Sequence, residues 1–260
     1  MAIERIIPGT IEWDAFFANH IKRYQFAASQ IPIENDLIIL DAACGVGYGS
    51  FLLSSIPNSK IIAIDRSHVA LEIARSTYSK DNVQYLEDDC HTLGNSNSFG
   101  PFDVIVSFET LEHLPKPDKF LKQCYTNLQK GGKLIISTPN QIVSSKENLQ
   151  KWEFHEKEYT PHDFVSILQK AGFLSIQLFG QELTSIGKLR KQFRSELNTI
   201  LSNPFIRIGQ FIQRIFKGHI FSTQLPEQLE DFDIVPYENY SSIDTSSNGP
   251  FVLLAVCEKS

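Results

Sequence analysis

A glycine-rich turn placed directly after a four-residue apolar run constrains this 260-residue chain more than any other feature. Leu37-Ile38-Ile39-Leu40 shows no polar alternation, as expected for a strand buried on both faces. Asp41-Ala42-Ala43-Cys44-Gly45-Val46-Gly47-Tyr48-Gly49 follows at once and leads into a helical stretch through Phe51-Leu52-Leu53. Gly45 and Gly47 allow the backbone to approach a ligand closely at a helix N-terminus. Asp65 ends the next apolar run, 24 residues after Asp41, where a carboxylate can accept hydrogen bonds from both hydroxyls of a ribose. Asp88-Asp89-Cys90 follows the third run, Val83–Leu86, where an adenine amino group needs an acceptor.

The rest of the chain repeats this alternation. Strands are expected at Lys60–Asp65, Val83–Leu86, Phe102–Phe108, Lys133–Ser137, Phe173–Phe179 and Phe251–Cys257. Helices are expected over residues 11–30, over Val69–Tyr78, and around Phe120, Leu121, Cys124 and Leu128, the last of these stopped by Gly131-Gly132. Another is marked by Thr160 as N-cap, Pro161 at the first position and Asp163 in the first turn, and ends at Gly172. Such alternation gives an α/β fold with a parallel, doubly wound sheet. One domain accounts for the whole: a lead-in helix (1–35), a core (36–183 and 250–260) and an insertion (184–249) before the last strand. The first half of the insertion reads as two amphipathic helices broken at Pro204, and its second half, rich in Ser, Asn, Pro and acids, as loop.

Composition narrows the function classes. Apolar residues make up 42%, which argues against wholesale disorder. The net charge of −6 disfavours a dedicated nucleic-acid binder, whose affinity rests on neutralising phosphates. Four cysteines far apart, no basic-then-apolar leader and no apolar run of membrane-spanning length make a reduced, cytoplasmic setting the expectation.

The dinucleotide fingerprint asks for a third glycine at position 50, where this chain has Ser50. An acidic residue ahead of the glycines suits a cofactor with a cationic aminoacyl end. Taken together, Asp41-x-x-x-Gly45-x-Gly47, Asp65, Asp89-Cys90, the Phe102-Asp103 strand and Gly131-Gly132 resemble the class I S-adenosylmethionine-dependent methyltransferases. That resemblance covers roughly residues 36–183 and the last strand. It implies a Rossmann-like sheet of seven strands, mostly parallel with an antiparallel last strand, a lid helix at the N-terminus, and S-adenosylmethionine as cofactor. It places the methionine end of the cofactor at Asp41, Gly45 and Gly47, the ribose at Asp65 and the adenine at Asp89 and Cys90. Tyr24, Ala43, Arg66 and Ser107 complete the expected cofactor-binding set. The lead-in His20-x-x-Arg23-Tyr24 and the runs Ser137-Thr138-Pro139-Asn140 and His155-x-x-Glu158-Tyr159-Thr160 resemble bacterial methyltransferases of glycan and secondary-metabolite pathways.

The reaction centre is expected beyond the fourth strand, in Phe108-Glu109-Thr110-Leu111-Glu112-His113-Leu114. Ligands of a doubly wound sheet sit outside the carboxyl ends of its strands. On a helical turn Glu109, Glu112 and His113 share one face, and two carboxylates with an imidazole make a partial metal site to which His155 adds a fourth ligand. The run resembles ubiquinone-biosynthesis O-methyltransferases and small-RNA 2′-O-methyltransferases. That implies a divalent ion, Mg²⁺ or Mn²⁺ by the hardness of the donors, gripping two neighbouring hydroxyls. Without an ion, His155 and His113 are the neutral-pH bases.

O-methylation of a hydroxyl on a sugar, glycan precursor or similar small metabolite is therefore the leading expectation. N- or C-methylation, 2′-O-methylation of RNA and a non-catalytic nucleoside-binding module are the alternatives. Residues 188–217 carry seven basic side chains against one acid, Glu196, and raise the further expectation of contact with an anionic acceptor or a membrane surface.

Overall fold

The computed structural model describes residues 11–33, 36–146, 155–189, 191–192, 229–237 and 249–260. Its centre is β1 (Leu37–Ala42), flanked by β2 (Ser59–Asp65) and β4 (Phe102–Ser107), with β3 (Val83–Glu87) outside β2 and β5 (Leu128–Pro139) outside β4, all parallel. β8 (Val252–Glu258) runs antiparallel between β5 and β6 (Ser175–Leu183). With β7 (Phe232–Pro236) beyond β6, the order is β3-β2-β1-β4-β5-β8-β6-β7. The direction of winding therefore reverses between β1 and β4, and an open α/β sheet offers its ligand crevice at that reversal.

Helices cover both faces. α1 (Ile11–Gln30), α2 (Tyr48–Leu53), α3 (His68–Thr77), α4 (Pro117–Asn127), α5 (Gln141–Lys146) and α6 (Pro161–Ala171) connect or flank the strands. Successive residues of β1 point to opposite faces. Leu40 and Ala42 join Ile62, Ile105, Phe120 and Phe164 on the α4/α6 side. Leu37 and Ile39 join Tyr24, Ala27, Leu53, Ile61 and Val104 on the α1/α2 side. This two-sided burial is what the unbroken apolar runs encode. Among the described residues no helix is long and apolar enough to cross a membrane.

Three expectations need correction. The sheet has eight strands rather than seven. The extra one, β7 (Phe232–Pro236), lies in the part of the insertion read as loop and pairs antiparallel with β6. Its five residues mix Asp with Phe, Ile and Val, so local periodicity is weak, and the strand exists because β6 runs on to Leu183 and offers an edge. The glycine pair does not end α4, which stops at Asn127. Gly131 and Gly132 sit inside β5, where Gly131 takes φ 78° and exchanges backbone hydrogen bonds with Lys259 together with Gly132. A Cβ at Gly132 would stand 3.0 Å from the Asp103 carbonyl oxygen, a tight contact that a glycine avoids. β6 begins at Ser175 rather than Phe173, whose side chain is buried beneath α6 in the core.

The α6 signals appear as read: Thr160 Oγ1 accepts from the Asp163 amide at 3.1 Å, and Gly172 closes the helix at φ 119°. Residues 185–189 form a helical turn after β6, as the amphipathic pattern implies. Residues 193–228, which hold most of the expected basic helices, lie outside the described residues.

Candidate active site

The turn after β1 folds as the glycine spacing demands. Ala43, Gly45 and Gly47 take φ 65°, 56° and 89°, and Gly47 precedes the first residue of α2. A Cβ at Gly47 would stand 2.7 Å from Ala74 Cβ and 2.8 Å from the Tyr85 hydroxyl, so that glycine is needed for packing. Gly45 faces open space, with nothing within 4 Å of a built Cβ. Of the two it is Gly45 that leaves room for a ligand.

Asp65, at the C-terminal end of β2, rims this space. Its Oδ2 accepts from the Gly45 amide at 3.0 Å and its Oδ1 from the Ser67 amide at 2.8 Å. A carboxylate oxygen can accept more than one hydrogen bond, which is the chemistry that recognition of two ribose hydroxyls needs. Asp41 is fully buried. Tyr24 of α1 donates to its Oδ1 at 3.2 Å and Ser50 to its Oδ2 at 2.6 Å. Burial pushes its carboxyl up to about 6 against the pull of the two hydroxyls, with the Asp65 charge adding to the rise. Tyr24 is wedged by the rings of Tyr48 and Phe108, at centroid distances of 5.9 and 4.9 Å, and lies on Gly49, where a Cβ would overlap its ring.

Other expected cofactor residues are engaged locally. Asp89 is exposed and accepts from the His91 amide and ring, which hold its carboxyl below the usual range. Cys90 is buried and Arg66 exposed. The Ser107 hydroxyl donates to the Ala42 carbonyl at 3.0 Å, tying β4 to β1 at the crevice. Asp88 closes its loop by accepting from Asn95 and Ser96.

One residue beyond the sequence-derived set stands out. Arg23 of α1 is 1% exposed, and its Nη1 donates to Gln181 Oε1 of β6 at 2.6 Å. Its Nε and Nη2 are buried with no hydrogen-bond partner among the described residues. A buried guanidinium with free donors is strained until an anion meets it. It is close enough to His20 to add to burial in driving that imidazole well below its usual range, and the ring's Nδ1 shares a hydrogen bond with the Tyr48 hydroxyl at 2.9 Å. Open space at Gly45, a ribose-competent Asp65, a buried Asp41 and an anion-hungry Arg23 fit a nucleoside with an amino-acid end.

Beyond β4 the chain makes a single 3₁₀ turn, Leu111–His113, rather than a helical face that includes Glu109. Glu109 sits before it at φ 49°, held by Ser137. The Ser137 hydroxyl donates to Glu109 Oε1 at 2.8 Å and accepts from the Glu109 amide at 3.2 Å. Glu112, His113 and His155 do converge, with one ligand atom each all within 4.8 Å of one another. Glu109 is not part of that group. Glu112 Oε2 accepts from Thr138 at 2.9 Å, whereas Oε1 is buried with no hydrogen-bond partner among the described residues, 3.7 Å from His113 Nε2. Burial first, and the Glu109 charge second, push the Glu112 carboxyl well above its ordinary range. The two imidazoles meet edge to face at 4.8 Å. The supporting residues Ser137 and Thr138 belong to the Ser-Thr-Pro-Asn run, which was the one sequence signal for them.

Residues 33–178 match the family model described as a methyltransferase domain, more than half of the chain. The chain belongs to the class I S-adenosylmethionine-dependent methyltransferases. Within that family, a probable S-adenosylmethionine-dependent methyltransferase of Mycobacterium tuberculosis is 30% identical over 178 residues, 68% of this chain and 62% of that protein. A ubiquinone biosynthesis O-methyltransferase of Xanthomonas axonopodis is 32% identical over 148 residues, 52% of this chain and 61% of the relative. The chain thus matches under two thirds of the length of these curated relatives. The crystal structure of an S-adenosylmethionine-dependent methyltransferase from Thermotoga maritima shares the fold with a TM-score of 0.60, covering 94% of this chain and 93% of that one at 15% identity.

Proposed function

We propose that this protein transfers the methyl group of S-adenosylmethionine to a hydroxyl oxygen of a small molecule, sugar or glycan precursor. The observation that carries the reading is the paired imidazoles of His113 and His155, gathered with Glu112 beyond β4 at the same sheet end as the Gly45–Asp65 cradle. Asp65 would hold the ribose, Arg23 the carboxylate and Asp41 the cationic amino end of the cofactor, with Tyr24 and α1 as its cover. The sulfonium supplies an activated methyl group. Displacement at that carbon forms one C–O bond and breaks one C–S bond, so the protein's part is alignment and removal of the hydroxyl proton. His155 is the candidate base, with His113 beside it, and a base at this position is worth roughly 10²–10⁴ in rate. Transfer of the intact tritiated methyl group from labelled cofactor to an oxygen, with a panel of vicinal diols and sugars as acceptors, tests the reading. Methylation confined to nitrogen or carbon acceptors overturns it.

A second reading is favoured by the buried Glu112 Oε1, which has no hydrogen-bond partner among the described residues. Glu112, His113 and His155 form a hard oxygen–nitrogen donor set that fits Mg²⁺ or Mn²⁺, and such an ion supplies Lewis acidity toward a bound hydroxyl. Activity abolished by chelator and restored by Mg²⁺ or Mn²⁺ supports this reading, and full activity in chelator removes it.

A further inference from the structure

We infer that Glu158 is a positioning residue that fixes the tautomer and orientation of His155. His155 Nδ1 and Glu158 Oε1 are 3.2 Å apart, and both side chains are nearly buried, at 7% and 11% exposure. This is not a chance meeting of two long surface side chains. The segment carrying both is clamped at each end. The Glu156 and Lys157 amides donate to the Glu112 carbonyl at 2.8 and 3.2 Å, which docks the segment on the turn that bears Glu112 and His113. Behind Glu158, Tyr159 bridges to Asn140, its carbonyl accepts from the Gln141 amide at 3.0 Å, and Thr160 caps α6.

The chemistry follows from what each group can do. An ionised carboxylate only accepts, so a hydrogen bond to it places the imidazole proton on Nδ1 and leaves the lone pair on Nε2. A carboxylate so placed fixes the ring's orientation and raises the basicity of the other nitrogen, whether that nitrogen receives a proton or binds a cation. The consequence for catalysis rests on the proposed role of His155, but the tautomer itself does not.

Long-range ¹H–¹⁵N correlation spectra of the ¹⁵N-histidine-labelled full chain, recorded in chelator over a series of rising pH values until the ring signals stop moving, give the tautomer directly. Comparison with His155→Gln assigns the His155 ring. Wild type should show the Nδ1–H form in about tenfold excess or more, the ratio that a charge-assisted hydrogen bond supports. Glu158→Gln keeps an acceptor and should retain most of that excess. Glu158→Ala should lose it, and in the methyl-transfer assay should lower kcat roughly 10- to 100-fold with cofactor affinity unchanged. An Nε2–H ring in wild type, or an unchanged ratio in Glu158→Ala, overturns the proposal. If Glu158→Ala fails to fold, the wild-type spectrum decides alone. The spectra need no acceptor, so a failure of the methyl-transfer reading and a failure of this one remain distinct.

Discussion

Replacing Asp41 by Asn should stabilise the cofactor-free protein at alkaline pH while weakening its cofactor site. Asp41 is wholly buried, and its carboxyl is raised from 3.8 to about 6, chiefly by burial. The sign follows from linkage: a raised folded-state value contributes stability that is fully present below 3.8 and is lost as the pH climbs through about 6. Above that window the folded protein holds a buried anion at a cost of about 3 kcal/mol, taking 1.4 kcal/mol per pH unit. Asparagine carries no charge and escapes this cost. It loses part of the hydrogen bonding, because Tyr24 and Ser50 both donate to the carboxylate and one of them must turn to face an amide NH₂, at roughly 1 kcal/mol. The net gain is about 1–2 kcal/mol at pH 8, or about 2–8 °C in Tm for a domain of this size. Near pH 4.5, where Asp41 is already protonated, the gain should vanish or reverse. Urea unfolding of both proteins at the two pH values measures this. Equal destabilisation at both would show that Asp41 serves as a hydrogen-bond acceptor without an electrostatic cost, and would refute the reasoning. Affinity for S-adenosylmethionine should move the other way, because its cationic end loses a counter-charge.

Further outcomes follow from the same geometry. Arg23→Gln should weaken S-adenosylmethionine binding roughly 10- to 100-fold, the value of a charge-assisted bond to a buried guanidinium; a decarboxylated analogue, tested by calorimetry, should bind variant and wild type alike. Gly49→Ala should destabilise the fold by at least ~1–3 kcal/mol, because its methyl group overlaps the Tyr24 ring, and thermal unfolding with near-ultraviolet dichroism of the tyrosines reports both effects. His155→Ala should cut kcat by about 10²–10⁴ with little change in cofactor affinity, as steady-state kinetics with a competent acceptor will measure.

The parts of this fold legible in the sequence are those whose cause is local. β1 and its turn are written as an apolar run followed by Gly45 and Gly47, and α6 is written in Thr160, Pro161, Asp163 and Gly172. The features that escaped depend on distant partners. β7 exists only beside β6. Gly131-Gly132 resembles a helix stop, but Gly132 packs close to β4 and Gly131 takes a positive φ while the pair bonds to Lys259. Arg23 and Gln181 are 158 positions apart, so no spacing rule connects them. Glu109 drops out of the expected four-residue cluster because Ser137 holds it in a left-handed backbone conformation, whereas Glu112, His113 and His155 come together as their types and strand-end positions imply.

The central claim is that this chain binds S-adenosylmethionine with its ribose on Asp65. Isothermal titration of the full chain with S-adenosylmethionine and S-adenosylhomocysteine, on wild type and Asp65→Ala, tests it most directly. The expected result is one site per chain for both ligands in wild type, with affinity reduced about 100-fold or more when the carboxylate proposed to meet two ribose hydroxyls is removed. Undiminished affinity in Asp65→Ala, or no binding by a folded wild-type protein, would contradict it.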